Sequence, residues 1–200
     1  MCEITEILGG FAGGYLIGSI PIGYLLVRAK RGTDVRDIGS GSIGATNVSR
    51  VLGKKTAVIV AVLDAVKGIC AFFLARLIIQ VDLGIELAAI GAVIGHCFPV
   101  WIGFKGGKGV STSLGTAIVL ATLPALLAFA MFTFTIAIVR RVSAASVTAV
   151  WLFAGLVFLL DFSIQMQIMG IFLALFITFT HRQNIKRLLE GEEKPLFGNT

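Results

Sequence analysis

The sequence predicts an all-α, polytopic membrane fold, and three observations carry that expectation. Of its 200 residues, 56% are hydrophobic and only 14% are charged. Mean hydropathy is +0.95. The charges fall in short clusters between long uncharged runs. So much Leu, Ile, Val, Phe and Ala excludes both a water-soluble globule and a disordered chain. The net charge of +6 fits membrane-flanking loops, so a lipid bilayer is the expected partner and nucleic acid is not.

Apolar segments lie at roughly 7–27, 56–79, 86–103, 112–139, 144–160 and 162–180, each measured against the ~20 residues a helix needs to cross the hydrocarbon. As one helix, the uncharged run from Val110 to Val139 would be about 45 Å long, well beyond a core of about 30 Å. Pro124 lies near its middle. The positive-inside rule decides how this run is divided. With Arg28, Lys30, Arg31, Arg36, Arg50, Lys54 and Lys55 inside, the acidic turn at 80–86 falls outside, and Lys105 and Lys108 return inside. One span over 112–139 would leave Arg140, Arg141, Arg182, Lys186 and Arg187 outside; two short helices broken near Pro124 return them all.

The expectation is therefore a single integral membrane domain over 1–200, with seven transmembrane helices, the N-terminus outside and the C-terminus cytoplasmic. Asp161 marks the last external turn. Cytoplasmic motif loops are expected near 28–55, 104–112, 140–143 and 181–200. Glu3 and Glu6 in place of a basic region argue against a cleaved signal peptide. Gly10, Gly14 and Gly18 form a small-residue ridge suited to close helix packing. Asp64 and Lys67, at i and i+3 inside the second segment, neutralise each other, either as a functional pair or as a structural brace. Arg76 snorkels from the outer end of that segment. Cys2, Cys70 and Cys97 are too scattered for a disulfide framework or a zinc site, and Cys70 and Cys97 are expected to pack.

Under this topology three polar stretches share the cytoplasmic face: 39–50 (GSGSIGATNVSR), 104–112 (FKGGKGVST) and the run beginning His181-Arg182-Gln183-Asn184. Glycines let backbone N–H groups converge on an anion, while Ser, Thr, Lys and Arg add donors and charge, so the chemistry suits phosphate. With scarcely a carboxylate among them, the loops suggest an anionic ligand bearing more than one phosphate. GSGSIG also fits G-x-G-x-x-G, but no strand precedes it, and Asp64 lies in a membrane segment. The second loop is no Walker motif, because Ile102 stands where the first glycine belongs and Gly109 where Ser or Thr would bind magnesium. No Ser-His-Asp set, H-x4-D sequence or paired carboxylates stand out, and His96 and His181 have few acids near them for a metal. His96 is read as a helix-end hydrogen-bonding residue. No cofactor is expected.

These three stretches, in this order, resemble the motifs of the bacterial membrane acyl-phosphate:glycerol-3-phosphate acyltransferases, the PlsY family. The likeness spans nearly the whole chain, and the stretch 95–112 (GHCFPVWIGFKGGKGVST) is its most specific part. Smaller matches fall at 140–146 and at 63–68. Family members commonly carry Asn-Pro where this chain has Ser42-Ile43, and the tail Gly191-Glu192-Glu193-Lys194 is one residue shorter than the family pattern.

The resemblance implies transfer of a fatty acyl group from acyl phosphate to the 1-hydroxyl of glycerol 3-phosphate at the bacterial inner membrane, giving lysophosphatidic acid and phosphate. On this reading Ser40, Gly41, Ser42, Thr46, Asn47 and Arg50 bind one phosphoryl group. Lys105, Gly106, Gly107, Lys108 and Gly109 bind the other, and Lys108 stabilises the departing phosphate. His181 and Asn184 orient the glycerol hydroxyls, helped by Ser143 and Ser146. The proton acceptor is either His181 or the substrate phosphate. A transporter of a phosphorylated solute is the alternative, although no internal repeat and no polar path through the bilayer favour it.

Overall fold

The computed structural model describes residues 3–196, and within them the regular structure is helical. It comprises α1 (Glu3–Gly18), α2 (Ile22–Arg31), α3 (Ala45–Ile78), α4 (Asp82–Cys97), α5 (Val110–Leu120), α6 (Thr122–Val139), α7 (Val142–Leu159), α8 (Ile164–Thr180) and α9 (Arg182–Leu189). Short 3-10 turns occur at Val35–Asp37 and Val100–Ile102. The helices pack into two compact units, Met1–Val119 and Leu120–Thr200.

Among the described residues five segments are long and apolar enough to cross a membrane, or six if the bent pair α8 and α9 is one span. The break expected near Pro124 falls at Ala121, whose φ of −148° and ψ of 73° lie outside the helical region. Pro124 sits in the first turn of α6, where its missing N–H costs no intrahelical bond. The eleven residues of α5 reach only about 16 Å, roughly half the hydrocarbon thickness.

Two features depart from the expected segments. The first apolar run is not one helix, because α1 stops at Gly18 and α2 restarts after Pro21. The second half of the 39–50 stretch is not loop: α3 begins at Ala45 and carries Thr46, Asn47 and Arg50 on its opening turns. That opening is separated from the long apolar remainder at Gly53, whose φ of 79° and ψ of 173° interrupt the helix. A positive φ of this kind is open to glycine and costly for residues with a Cβ.

In the first unit, α1 lies along α4 through the expected glycine ridge. Cβ atoms at Gly10, Gly14 and Gly18 would come within 2.1 Å of the carbonyl oxygens of Gly84, Ala88 and Ala92. Cβ atoms at Gly91 and Gly95 on α4 would in turn come within 2.4 Å of the carbonyl oxygens of Phe11 and Tyr15 on α1. Lipid offers no hydrophobic drive for helix pairing, so close backbone contact replaces it. A second cluster, formed by Val27, Val35, Ile43, Val48 and Val60, packs beneath the 32–44 loop.

In the second unit α7 packs between α6 and α8. Small residues fill the buried faces, with Ala145 and Ala174 fully enclosed, while Phe158 and Leu159 are more than 70% exposed. Large apolar side chains facing outward are what hydrocarbon, not water, solvates. Exposure also corrects one packing expectation: Cys97 is buried but Cys70 faces outward. Cys2 lies outside the described residues.

Candidate functional site

The 32–44 loop is held by two devices. Asp34 accepts from the backbone N–H of Arg36 at 2.9 Å and grips its guanidinium through both carboxylate oxygens. Arg36 Nη1 then donates to the Ile102 carbonyl at 2.6 Å, which ties this loop to the one following α4. The adjacent guanidinium holds the Asp34 carboxyl below its ordinary value of 3.8 by hydrogen bonding and charge, against a smaller opposing effect of burial.

The second device is Asn47, which is 1% exposed. Its Nδ2 group faces the carbonyls of Val35, Ile38 and Ser42 at 2.8–2.9 Å, and its Oδ1 accepts from the Ser40 N–H at 2.9 Å. The phosphoryl contact expected of Asn47 has no geometric support, since these loop bonds already engage its amide. Gly39 and Gly41 take positive φ, and the Arg50 side chain lies 3.2 Å from where a Gly39 Cβ would stand. Ser42 Oγ accepts from the Gly44 N–H, while Ser40, Gly41 and Arg50 are exposed and Thr46 is half-buried.

The glycine-lysine loop folds back over the C-terminal end of α4. Gly106 N–H donates to the Cys97 carbonyl at 3.1 Å and Gly107 N–H to that of His96 at 3.0 Å, satisfying carbonyls the helix leaves unpaired. These two amides therefore cap a helix and do not line an anion nest. The donor-rich part of the loop moves to Lys108, half-buried, and to the first turn of α5, whose N–H groups have no intrahelical acceptor. Gly109, with φ of 84°, makes the turn into that helix. Lys105 is exposed and lines a cleft of about 430 Å³ with Asp34, Arg36, Asp37, Gly41, Ile102 and Gly103.

Beneath this loop lies a buried ionic cluster. Lys67 pairs with Asp64 at 2.9 Å, and His96 approaches both. The i, i+3 pair was legible in the sequence; its junction with His96 was not, because it depends on how α3 meets α4.

The second unit holds the remaining expected residues. Ser143 and Ser146 are each 1% exposed and His181 is 2% exposed. Ser146 donates to the Val142 carbonyl, a bond within its own helix. His181 occupies the corner where α9 bends 61° away from α8. Its Nδ1 lies 2.8 Å from the Ile177 carbonyl oxygen, so Nδ1 carries a proton and donates there. Sequence reasoning missed Glu193, which is 8% exposed. It accepts from Ser143 Oγ through one oxygen and from Asn184 Nδ2 at 2.8 Å through the other. Among the described residues no group of three or more His, Cys, Asp or Glu is placed to hold a metal ion.

Comparison with known proteins shows the family. The profile of the family described as glycerol-3-phosphate acyltransferase matches residues 8–191. A glycerol-3-phosphate acyltransferase of Anaeromyxobacter sp. (strain K) is 44% identical over 96% of this chain and 98% of its own length. One from Desulforamulus reducens is 40% identical over 96% of each chain. Among solved structures, PlsY, an integral membrane glycerol 3-phosphate acyltransferase, in its glycerol 3-phosphate form superposes with a TM-score of 0.90 at 38% identity over 96% of each chain. Its lysophosphatidic acid form gives 0.85 at 36% identity, covering 96% of this chain and 95% of that one. The transporter alternative finds no support in any of these. The chain belongs to the glycerol-3-phosphate acyltransferase family and is an integral membrane enzyme of the PlsY type.

Proposed function

We propose that the protein transfers a fatty acyl group from acyl phosphate to the 1-hydroxyl of glycerol 3-phosphate, yielding lysophosphatidic acid and inorganic phosphate. The glycine-lysine loop carries this reading. It caps α4, turns at Gly109 and presents Lys108 at the start of α5, where side-chain charge and helix N–H groups favour an anion. PlsY structures with glycerol 3-phosphate and lysophosphatidic acid support the acceptor and the product.

An acyl phosphate is a mixed anhydride, so direct attack needs no acyl-enzyme. The glycerol hydroxyl oxygen bonds to the acyl carbon, the carbon–oxygen bond to phosphate breaks, and the hydroxyl proton passes to the leaving phosphate or to His181 Nε2. Lys108 and Lys105 offset the charge that gathers on the departing phosphate. Ser40, Gly41, Ser42, Thr46 and Arg50 bind the other phosphoryl group, with Asn47 holding their loop. Asn184, fixed by Glu193, orients the glycerol hydroxyls together with His181, and Ser143 and Ser146 support them.

The same reading places seven helices in the bacterial inner membrane, with α5 as a short, partial span, the N-terminus outside and the motif loops in the cytoplasm. The test is purified protein in detergent with acyl phosphate and glycerol 3-phosphate. Stoichiometric phosphate and lysophosphatidic acid are expected, with no product when acyl-CoA replaces acyl phosphate; folded protein that yields neither product overturns the assignment. Single cysteines placed at Lys105 and Gln183 should react with an impermeant thiol reagent only from the cytoplasmic side.

A further inference from the structure

Both ends of the glycine-lysine loop rest on one stretch of α3. On the entry side, His96 in the last turn of α4 lies beside Asp64 and Lys67, and all three side chains are buried. The Lys67 Nζ is 2.9 Å from Asp64 Oδ1, 2.8 Å from His96 Nδ1 and 3.1 Å from the Ile20 carbonyl oxygen. An ammonium has three N–H donors, and its three neighbours here belong to α3, to α4 and to the break between α1 and α2. On the exit side, α5 is seated against the same part of α3. A Cβ at Gly68 would stand 2.6 Å from the Thr112 carbonyl oxygen, and one at Gly115 would stand 2.0 Å from that of Ala65. Residues 64–68 are therefore the platform from which Lys108 is held.

His96 holds the loop twice. Its carbonyl accepts from the Gly107 N–H at 3.0 Å, and its ring fills the place that a side chain at residue 107 would take. A Cβ there would stand 2.0 Å from Nε2 and 2.9 Å from Cδ2 and Cε1, and these three ring atoms are its nearest neighbours. Ring and loop backbone are thus in contact, so the stance of one sets that of the other. A buried ion pair adds little stability, because lost hydration cancels most of its attraction; what it has over an apolar contact is a fixed direction. We propose that Asp64, Lys67 and His96 are positioning residues for acyl transfer: the ion pair fixes the imidazole, and the imidazole sets where Gly107, and so Lys108, stands. The proposal rests on the glycine-lysine loop binding a phosphoryl group, and it gives an ionic pair inside an apolar helix its purpose.

The test is a pair of double-mutant cycles on the full protein in detergent, read by acyl-transfer rate and by thermal unfolding. Relieving the contact at residue 107 displaces the loop by about 1 Å, a misplacement that can cost about a hundredfold in rate. Gly107→Ala should therefore lower acyl transfer about tenfold or more in the parent, but less than about threefold in His96→Ala, where the methyl group has room. The same factor in both backgrounds overturns the role of the ring. Asp64→Asn combined with Lys67→Met removes both charges at similar size and should leave Tm within about 4 °C of the parent. It should lower acyl transfer about tenfold or more, yet less than about threefold once Lys108→Ala is present. A brace with no part in positioning would lower Tm together with activity, or would cost the same factor with and without Lys108, and either result overturns the proposal. Lys108→Ala at the parental rate instead rejects the loop as a phosphate site, the reading on which the proposal rests. Should His96→Ala or the charge-free pair fail to fold, the cycle built on the other decides. Should both fail, Gly107→Ala alone decides: loss of activity at the parental Tm upholds the proposal, and full activity, or a loss that follows a fall in Tm, overturns it.

Discussion

Ser143, at the start of α7, donates a hydrogen bond from its hydroxyl to the carboxylate of Glu193, fifty residues further along the chain. The second oxygen of the same carboxylate accepts from Asn184. One acidic side chain in the tail therefore holds two of the residues expected to handle substrate. The Leu196 N–H, donating to the Arg140 carbonyl at 2.8 Å, pins that tail against the corner between α6 and α7. Replacing Glu193 by Gln keeps the shape but offers one acceptor where two are used. Glu193→Gln is expected to lower acyl transfer at least tenfold and to cost about 1–3 kcal/mol of stability, read by steady-state rates and thermal unfolding in detergent.

Asn47 gives a prediction in which the chemically closer substitution is the worse one. Asn47→Ala removes the amide that bridges the 35–42 carbonyls and the Ser40 N–H. Asn47→Asp retains an acceptor for Ser40 but sets an oxygen against three carbonyls. Alanine should cost roughly 2–3 kcal/mol and aspartate more. Thermal unfolding of the two variants side by side checks the order.

The glycines of α1 divide into two kinds. A methyl group at Gly14 would stand 2.0 Å from the Ala88 carbonyl oxygen, whereas one at Gly13 would meet nothing within 4 Å. Gly14→Ala is expected to destabilise by about 1–3 kcal/mol through overpacking. Gly13→Ala should be neutral or slightly stabilising, and a comparable loss in both would remove the ridge as the basis of α1–α4 pairing.

The Asp34–Arg36 clamp makes a pH prediction. Because its carboxyl is held below 3.8 in the folded protein, the clamp's contribution is fully present at neutral pH. It is lost as the pH falls through that lowered value. With side chains about one-fifth exposed, the contribution is about 1 kcal/mol. Asp34→Asn should therefore lower Tm by roughly 2–4 °C at pH 7. The deficit should shrink as the pH falls below 3.8 and through the lowered value.

The helical class and the small-residue ridge were legible because hydropathy and four-residue spacing are local properties. So was the division of the 110–139 run, which its length set against bilayer thickness raises and the positive-inside rule decides. The break at Ser19–Pro21 was hidden because apolar residues continue through it. In the motif stretches, composition identified donors but not which of them are consumed. Asn47, Gly106 and Gly107 carry suitable groups that the fold turns inward, whereas Glu193 and the Lys67–His96 contact arise only when distant segments meet. Composition therefore marked the donor-rich loops, while the division between groups that hold those loops and groups left open on them required tertiary structure.

The interruption at Gly53 has a mechanical result. The short opening of α3, which carries Asn47 and Arg50, does not share one rigid axis with the long apolar stretch that follows. Bilayers differ in thickness, and a spanning helix answers by tilting. At Gly53 such a tilt meets a joint, so the opening of α3 that holds the 32–44 loop through Asn47 need not follow the lean of the long apolar stretch.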